Sequence, residues 1–269
     1  DRPVFDFGKN CEGMVLAGDH WYYQGFDVTN SANAKDGIRL CGSSCTVDNV
    51  RTYHNGNTGL QISRFTSTDT KEEWPSNNLV LNCTSYGNAD EGYEDADGFA
   101  AKLTIGEGNT FDGCIAYNNA DDGWDLFAKV ETGSIGAVTI QNCVAYGNGY
   151  LEDGTDAGNG NGFKMGGVDN KTPGKAAHLD PLNHKLIGCT AKGNYANGFD
   201  RNNQSGVVTM KNCISDSNKG NNYHWPLTGK PSALGYKVTF GKAIIEDCTN
   251  INGKVNITGA TLKGNCKGF

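Results

Sequence analysis

The phrase Leu-Val-Leu-Asn-Cys-Thr-Ser-Tyr-Gly-Asn, residues 79–88, recurs along the chain and constrains the fold more than any other feature. It returns at 110–119 as Thr-Phe-Asp-Gly-Cys-Ile-Ala-Tyr-Asn-Asn and at 139–148 as Thr-Ile-Gln-Asn-Cys-Val-Ala-Tyr-Gly-Asn. Further copies at 185–194 and 209–218 end in Lys-Gly-Asn and Asp-Ser-Asn, and a looser one runs from Cys45 to Asn55 with Val50 in the cysteine place. The repeated cysteines Cys83, Cys114, Cys143, Cys189, Cys213 and Cys248 stand 31, 29, 46, 24 and 35 residues apart. A constant unit with loops of variable length between copies is the mark of stacked repeats, each contacting only its neighbours.

Apolar and polar residues alternate within each phrase, which reads as a half-buried strand, and the closing Asn beside Gly or a small polar residue reads as a turn. A second short strand follows, opened by a Gly and an apolar residue. Its copies are Thr58-Gly-Leu-Gln-Ile, Asp97-Gly-Phe-Ala-Ala, Asp122-Gly-Trp-Asp-Leu, Asn161-Gly-Phe-Lys-Met and Asn197-Gly-Phe-Asp-Arg. The turn-rich composition, 38 Gly and 31 Asn in 269 residues, disfavours long helices. Short strands without helices in units of this size predict an all-β solenoid, a right-handed parallel β-helix forming one domain over 1–269. A β-propeller would need about four strands per blade and a steadier period. Stacking should set Asn88, Asn119, Asn148, Asn194 and Asn218 in a ladder of amides and the six repeated cysteines in a column of buried thiols. Cys41 and Cys45 are the better disulfide candidates.

A net charge of −7 and no basic stripe argue against nucleic-acid binding. No apolar run reaches the length of a membrane span, and no signal peptide opens the chain. An acidic protein that handles an acidic ligand needs local positive charge, from lysines or from a bound cation.

Reading the second strand down its columns brings charges together. Neighbouring strands lie ~4.8 Å apart and side chains alternate between faces. Leu60, Phe99, Trp124, Phe163 and Phe199 must point inward, which makes Trp124 a core residue rather than a sugar platform. The next residues, Gln61, Ala100, Asp125, Lys164 and Asp200, then point outward, as do Thr58, Asp97, Asp122, Asn161 and Asn197 before the glycines. Asp97 and Asp122 should stack on adjacent coils, with Asp125 one coil from Lys164 and Asp121 beside Asp122. Four crowded carboxylates repel unless a cation neutralises them, and a hard divalent ion, Ca2+ above all, suits such oxygen ligands. Asp-Gly and Asn-Gly alone are also ordinary turn chemistry; the weight lies in four aspartates with a lysine in one patch. The loops lack the acidic first position and closing Glu of an EF-hand.

At these residues the chain resembles polysaccharide lyase family 9. The resemblance rests on Asp97-Gly-Phe, on Asn-Ala-Asp121-Asp122-Gly-Trp-Asp125-Leu, on Gly-Phe-Lys164-Met-Gly-Gly and on the Cys/Asn units, over roughly 45–220. It implies a right-handed parallel β-helix that cleaves pectate with calcium, Asp97, Asp121, Asp122 and Asp125 as metal ligands and Lys164 as the base. Two departures stand out. Family chains usually carry further N-terminal coils and a cap, whereas Asp1-Arg-Pro-Val-Phe-Asp-Phe resembles the middle of such a protein, so a missing segment is expected before it. Segments 149–160 and 167–184 are also enlarged.

The mechanism this implies is β-elimination from polygalacturonate, Lys164 taking the C5 proton while the ion stabilises the enolate-like charge, with calcium dependence and an alkaline optimum expected. Arg201, Asp200 and Asn161 are the candidates for substrate contact. Alternation turns Arg201 inward, which is unfavourable for a guanidinium, so the strand is expected to end before it. Lys102 and Lys129 are candidates for lining the groove but read first as ordinary surface lysines, and His178, His184 and His224 carry no motif. The rival readings are a glycoside hydrolase acting on the same polymer and a non-catalytic polysaccharide-binding β-helix. The expected partner is an acidic polysaccharide, the expected location extracellular and the expected state monomeric.

Overall fold

The computed structural model describes residues 2–128, 132–167, 183–230 and 236–269. Three parallel sheets of nine strands each run the length of the described chain, every strand pairing with those one coil before and after. A short antiparallel pair, Thr228–Gly229 with Val238–Thr239, lies outside them. The coil is the right-handed parallel β-helix that the repeat predicts. Among the described residues no helix is long and apolar enough to cross a membrane.

Each repeated phrase is two strands, not the single one that alternation suggested. Leu79–Leu81 belongs to one sheet and Thr84–Tyr86 to the next. Between them Asn82 sits at φ 51°, and Gly113, Asn142, Gly188 and Asn212 take the same left-handed turn in later coils. Asn and Gly tolerate that conformation, so the residue before each cysteine turns the chain through a corner. A one-residue corner leaves the alternation almost unbroken, which is why the sequence pattern hides it.

The interior is built of columns. Phe99, Trp124, Phe163, Phe199 and Tyr223 stack with ring centroids 4.8 to 5.2 Å apart, and all are fully buried. The six repeated cysteines form a buried column, with the Cys114 N–H directed at Cys143 Sγ at 3.3 Å. All ten cysteines are unpaired, so the Cys41–Cys45 disulfide does not form. Cys45 instead immediately precedes the strand Thr46–Asp48, and its N–H donates to Asn78 Oδ1 at 2.9 Å.

The asparagine ladder runs as predicted and extends one residue at each end. Amide Nδ2 donates to the next Oδ1 from Asn55 to Asn88, Asn119, Asn148, Asn194, Asn218 and Asn222, at 2.8 to 3.0 Å. Each buried bond contributes about 1 kcal/mol net, and an unpaired amide would cost more. The ladder explains the glycine that opens each strand of the second sheet. A Cβ at Gly123 would stand 2.6 Å from Gly162 O and 2.9 Å from Asn148 Nδ2. Space under the ladder, rather than turn geometry, requires glycine there.

Candidate active site

The second sheet fixes the charged residues by register. Phe99 pairs with Trp124, Trp124 with Phe163 and Phe163 with Phe199, which aligns Ala100, Asp125, Lys164, Asp200 and His224 in one outward column. Outward does not mean exposed. Asp97 and Asp122 are fully buried, Asp125 is 4% exposed and the Lys164 side chain 14%. The continuing chain covers them, with Lys102 against the carboxylates and the Phe127 ring 5.9 Å from Lys164 Nζ.

Asp97, Asp122 and Asp125 each bring a carboxylate oxygen within 4.8 Å of the other two. Asp97 Oδ1 accepts the Asp122 N–H at 3.3 Å, and its Oδ2 accepts Lys102 Nζ at 2.6 Å. Asp122 Oδ1 accepts the Asn161 backbone N–H and Nδ2 at 2.7 and 2.8 Å, while its Oδ2 pairs with Lys164 Nζ at 2.8 Å. Asp125 Oδ2 lies 3.3 Å from Lys102 Nζ and 3.5 Å from Lys164 Nζ. Asp121 stands beside this trio but supplies no oxygen to it. Oδ1 of Asp121 and Oδ1 of Asp125 are buried without a hydrogen-bond partner.

Burial pushes the carboxyls of Asp97, Asp121 and Asp122 above their ordinary range, against the pull of the lysines. For Lys164 burial alone would lower the pKa, but Asp122, Asp125, Asp121 and Asp97 together hold it well above the usual lysine value. Lys102 behaves alike, desolvation opposed and outweighed by Asp97 and Asp125. Both ammoniums are therefore held in place as counter-charges. The donor set is all oxygen, clustered and partly unsatisfied, and such a set fits a hard divalent cation.

Several sequence expectations change here. The strand ends at Asp200, as expected, yet Arg201 still turns inward, is fully buried and does not face the groove. Its guanidinium donates to the carbonyls of Gln204, Gly241 and Gly259 at 2.8, 2.7 and 3.0 Å and lies over Trp225 and Phe240. Three carbonyls and two rings offset the desolvation that made an inward Arg unfavourable. Asn161 is fully engaged too, its amide donating to Asp122 and Asn159 while its Oδ1 accepts the Asn197 N–H, so it positions Asp122. Asp200 keeps its place in the column, bonded to Asn197 and His224.

Lys102 and His224 are the residues that sequence reasoning missed. Lys102 follows Phe99–Ala101, where the strand has ended and alternation no longer says which way it points. The signal for His224 was register: counting one more coil past Asp200 would have placed it in the charged column. Lys129, His178 and most of the segment 167–184 lie outside the described residues.

The fold and this site define a right-handed parallel β-helix with an acid–lysine cluster on the outer face of one sheet. The family model described as the Pel9A-like right-handed β-helix region matches residues 1–232. The chain belongs to that family, among the family 9 polysaccharide lyases. It is 45% identical over 221 residues to pectate lyase L of Thermoclostridium stercorarium, covering 82% of this chain and 17% of that protein. It is also 45% identical over 231 residues to pectate lyase L of Paenibacillus polymyxa, covering 83% and 49%. The solved structure of pectate lyase Pel9A superposes with a TM-score of 0.73 at 34% identity, over 96% of this chain and 58% of that one. The chain thus spans about half or less of the length of the two curated relatives.

Proposed function

We propose that this protein is a calcium-dependent pectate lyase, cleaving α-1,4-galacturonosyl linkages of polygalacturonate by β-elimination. The observation that carries the reading is Lys164 set in register beside Asp125, its Nζ 2.8 Å from Asp122, at the edge of a three-carboxylate group. The relatives' names support the same chemistry.

Asp97, Asp122 and Asp125, with Asp121 beside them, would hold the ion. When bound, calcium supplies positive charge for the uronate carboxylate and for the enolate-like charge that develops next to it. Lys164 Nζ takes the proton from C5. The C–H electron pair becomes the C4–C5 double bond, and the C4–O bond breaks with its pair going to the departing oxygen, which is protonated from solvent. Lys164 must be neutral to act, so neutralising the carboxylates that hold its proton favours the reaction, and the rate should rise with pH. A polymer of this size is met outside cells, which supports an extracellular place of action for this reading.

The test is near-ultraviolet absorbance during incubation with polygalacturonate, with calcium and again with excess chelator. A calcium-dependent rise from an unsaturated uronide is expected. New reducing ends without that rise would make the protein a hydrolase, and no turnover at all would make it a binding module.

A further inference from the structure

The charged column of the second sheet continues past the lysine. Lys164 pairs with Asp200 and Asp200 with His224, so the three side chains stand on successive coils of the same face. Asp200 is 7% exposed and has one oxygen, Oδ1, bonded to both Asn197 Nδ2 at 3.1 Å and His224 Nδ1 at 2.5 Å. A carboxylate this covered needs a cationic partner, and Arg201, next in the chain, has turned into the interior. His224 meets that need, with its Nδ1 committed to Asp200 and a ring that remains 33% exposed. The free nitrogen is therefore Nε2, on a ring oriented by a fixed carboxylate.

We propose that His224, oriented by Asp200, is a substrate-binding residue whose Nε2–H receives the carboxylate of a uronate unit upstream or downstream of the cleaved bond. This rests on the lyase reading of the Lys164 site. Two strand spacings separate Lys164 from His224, about 9.6 Å, which is roughly two sugar units of an extended polyuronide lying along the column. A polymer with an acid on every unit can thus meet Lys164 and His224 together. The hydrogen bond that His224 Nδ1 makes to the Asp200 carboxylate raises the imidazole pKa above its ordinary value, against the opposing effect of burial. On the other side of the centre the column runs through Ala100 and Gln61 to Arg39, whose guanidinium is held by Glu12 and by the Arg64 and Phe65 carbonyls.

The experiment compares wild type, His224→Ala and His224→Gln on polygalacturonate and on size-defined oligogalacturonates, at pH 7 with saturating calcium. Loss of a charge-assisted hydrogen bond should raise KM about tenfold on the polymer in both variants, with kcat changed less than about twofold. The rise should shrink on oligomers too short to span both residues and on polymer methyl-esterified at its carboxyls. A length-independent fall in kcat would assign His224 a structural role and overturn the proposal. So would unchanged KM in both variants of an active enzyme. A wild type that yields no unsaturated product overturns the lyase reading itself, an outcome distinct from either.

Discussion

Lys102 and Lys164 approach the same oxygen of Asp125, at 3.3 and 3.5 Å, from neighbouring coils. Each also grips a second carboxylate, Lys102 that of Asp97 and Lys164 that of Asp122. The two lysines differ in what they could do. Lys164 lies in the register column beside Asp200 and His224, on the face a polymer would cross, whereas Lys102 follows the end of its strand and lies outside that column. Replacing Lys164 with Ala should lower kcat by about 10²–10⁴-fold, the usual worth of a general base. Absorbance of the unsaturated product measures it, and retained polygalacturonate binding by the variant would separate chemistry from unfolding.

Lys102→Met should act in the opposite sense on the metal. The variant leaves Asp97 without its lysine and Asp125 with Lys164 alone, so the carboxylate group carries more negative charge. Calcium binding should tighten, as read by titration calorimetry. In chelator the variant should be destabilised by about 3 kcal/mol, because breaking a buried pair leaves an uncompensated charge. Added calcium should restore much of the lost Tm. A variant that binds calcium more weakly would mean that Lys102 organises the acids instead of competing for them.

Arg201 tests whether burial outweighs the appearance of a substrate-facing cation. Burial lowers its pKa to about 10, and among the described residues no carboxylate reaches ion-pair distance. Its three carbonyl acceptors lie on segments around Gln204, Gly241 and Gly259, so the guanidinium ties the last coils together. Arg201→Met should cost about 3 kcal/mol in denaturant unfolding, since three buried carbonyls lose a charged donor. KM of the folded fraction should stay near wild type. A KM rise with unchanged stability would return Arg201 to the groove.

The periodic part of this structure was legible because each coil repeats it. The Asn88-to-Asn218 ladder, the thiol column and the inward Phe99–Phe199 rings all follow from aligning copies of one phrase. Asp97, Asp122 and Asp125 followed from the same alignment plus the alternation of a strand. What escaped lies where periodicity lapses. Lys102 sits past a strand end, where direction depends on the path of a loop. Arg201 was read against its own alternation, since composition rules price a buried guanidinium without knowing that backbone carbonyls await it. Asn161 looked available until the Asp122 carboxylate claimed it. Side-chain partners across loops are properties of packing, and one sequence does not display them.

His184 offers a prediction independent of the active site. It is fully buried at the position before Lys185–Ile187, where earlier coils carry Asn78 and Asn109. Its Nδ1 accepts the Val138 N–H at 2.9 Å, as Asn109 Oδ1 accepts that of Asn78. An acceptor must stay unprotonated, and burial lowers the pKa of His184 to about 3 from an ordinary 6.5. The unfolded chain therefore binds a proton between pH 6.5 and pH 3 that the folded chain refuses. Stability from this residue is intact above pH 6.5 and is lost as pH falls through that window, by about 4 kcal/mol at its lower end. His184→Asn keeps an acceptor and removes the titration. The slope of unfolding free energy against pH, measured between 6.5 and 4 for both proteins, should be flatter in the variant. Equal slopes would mean that the imidazole is already protonated in the fold, with the Val138 N–H bonded elsewhere.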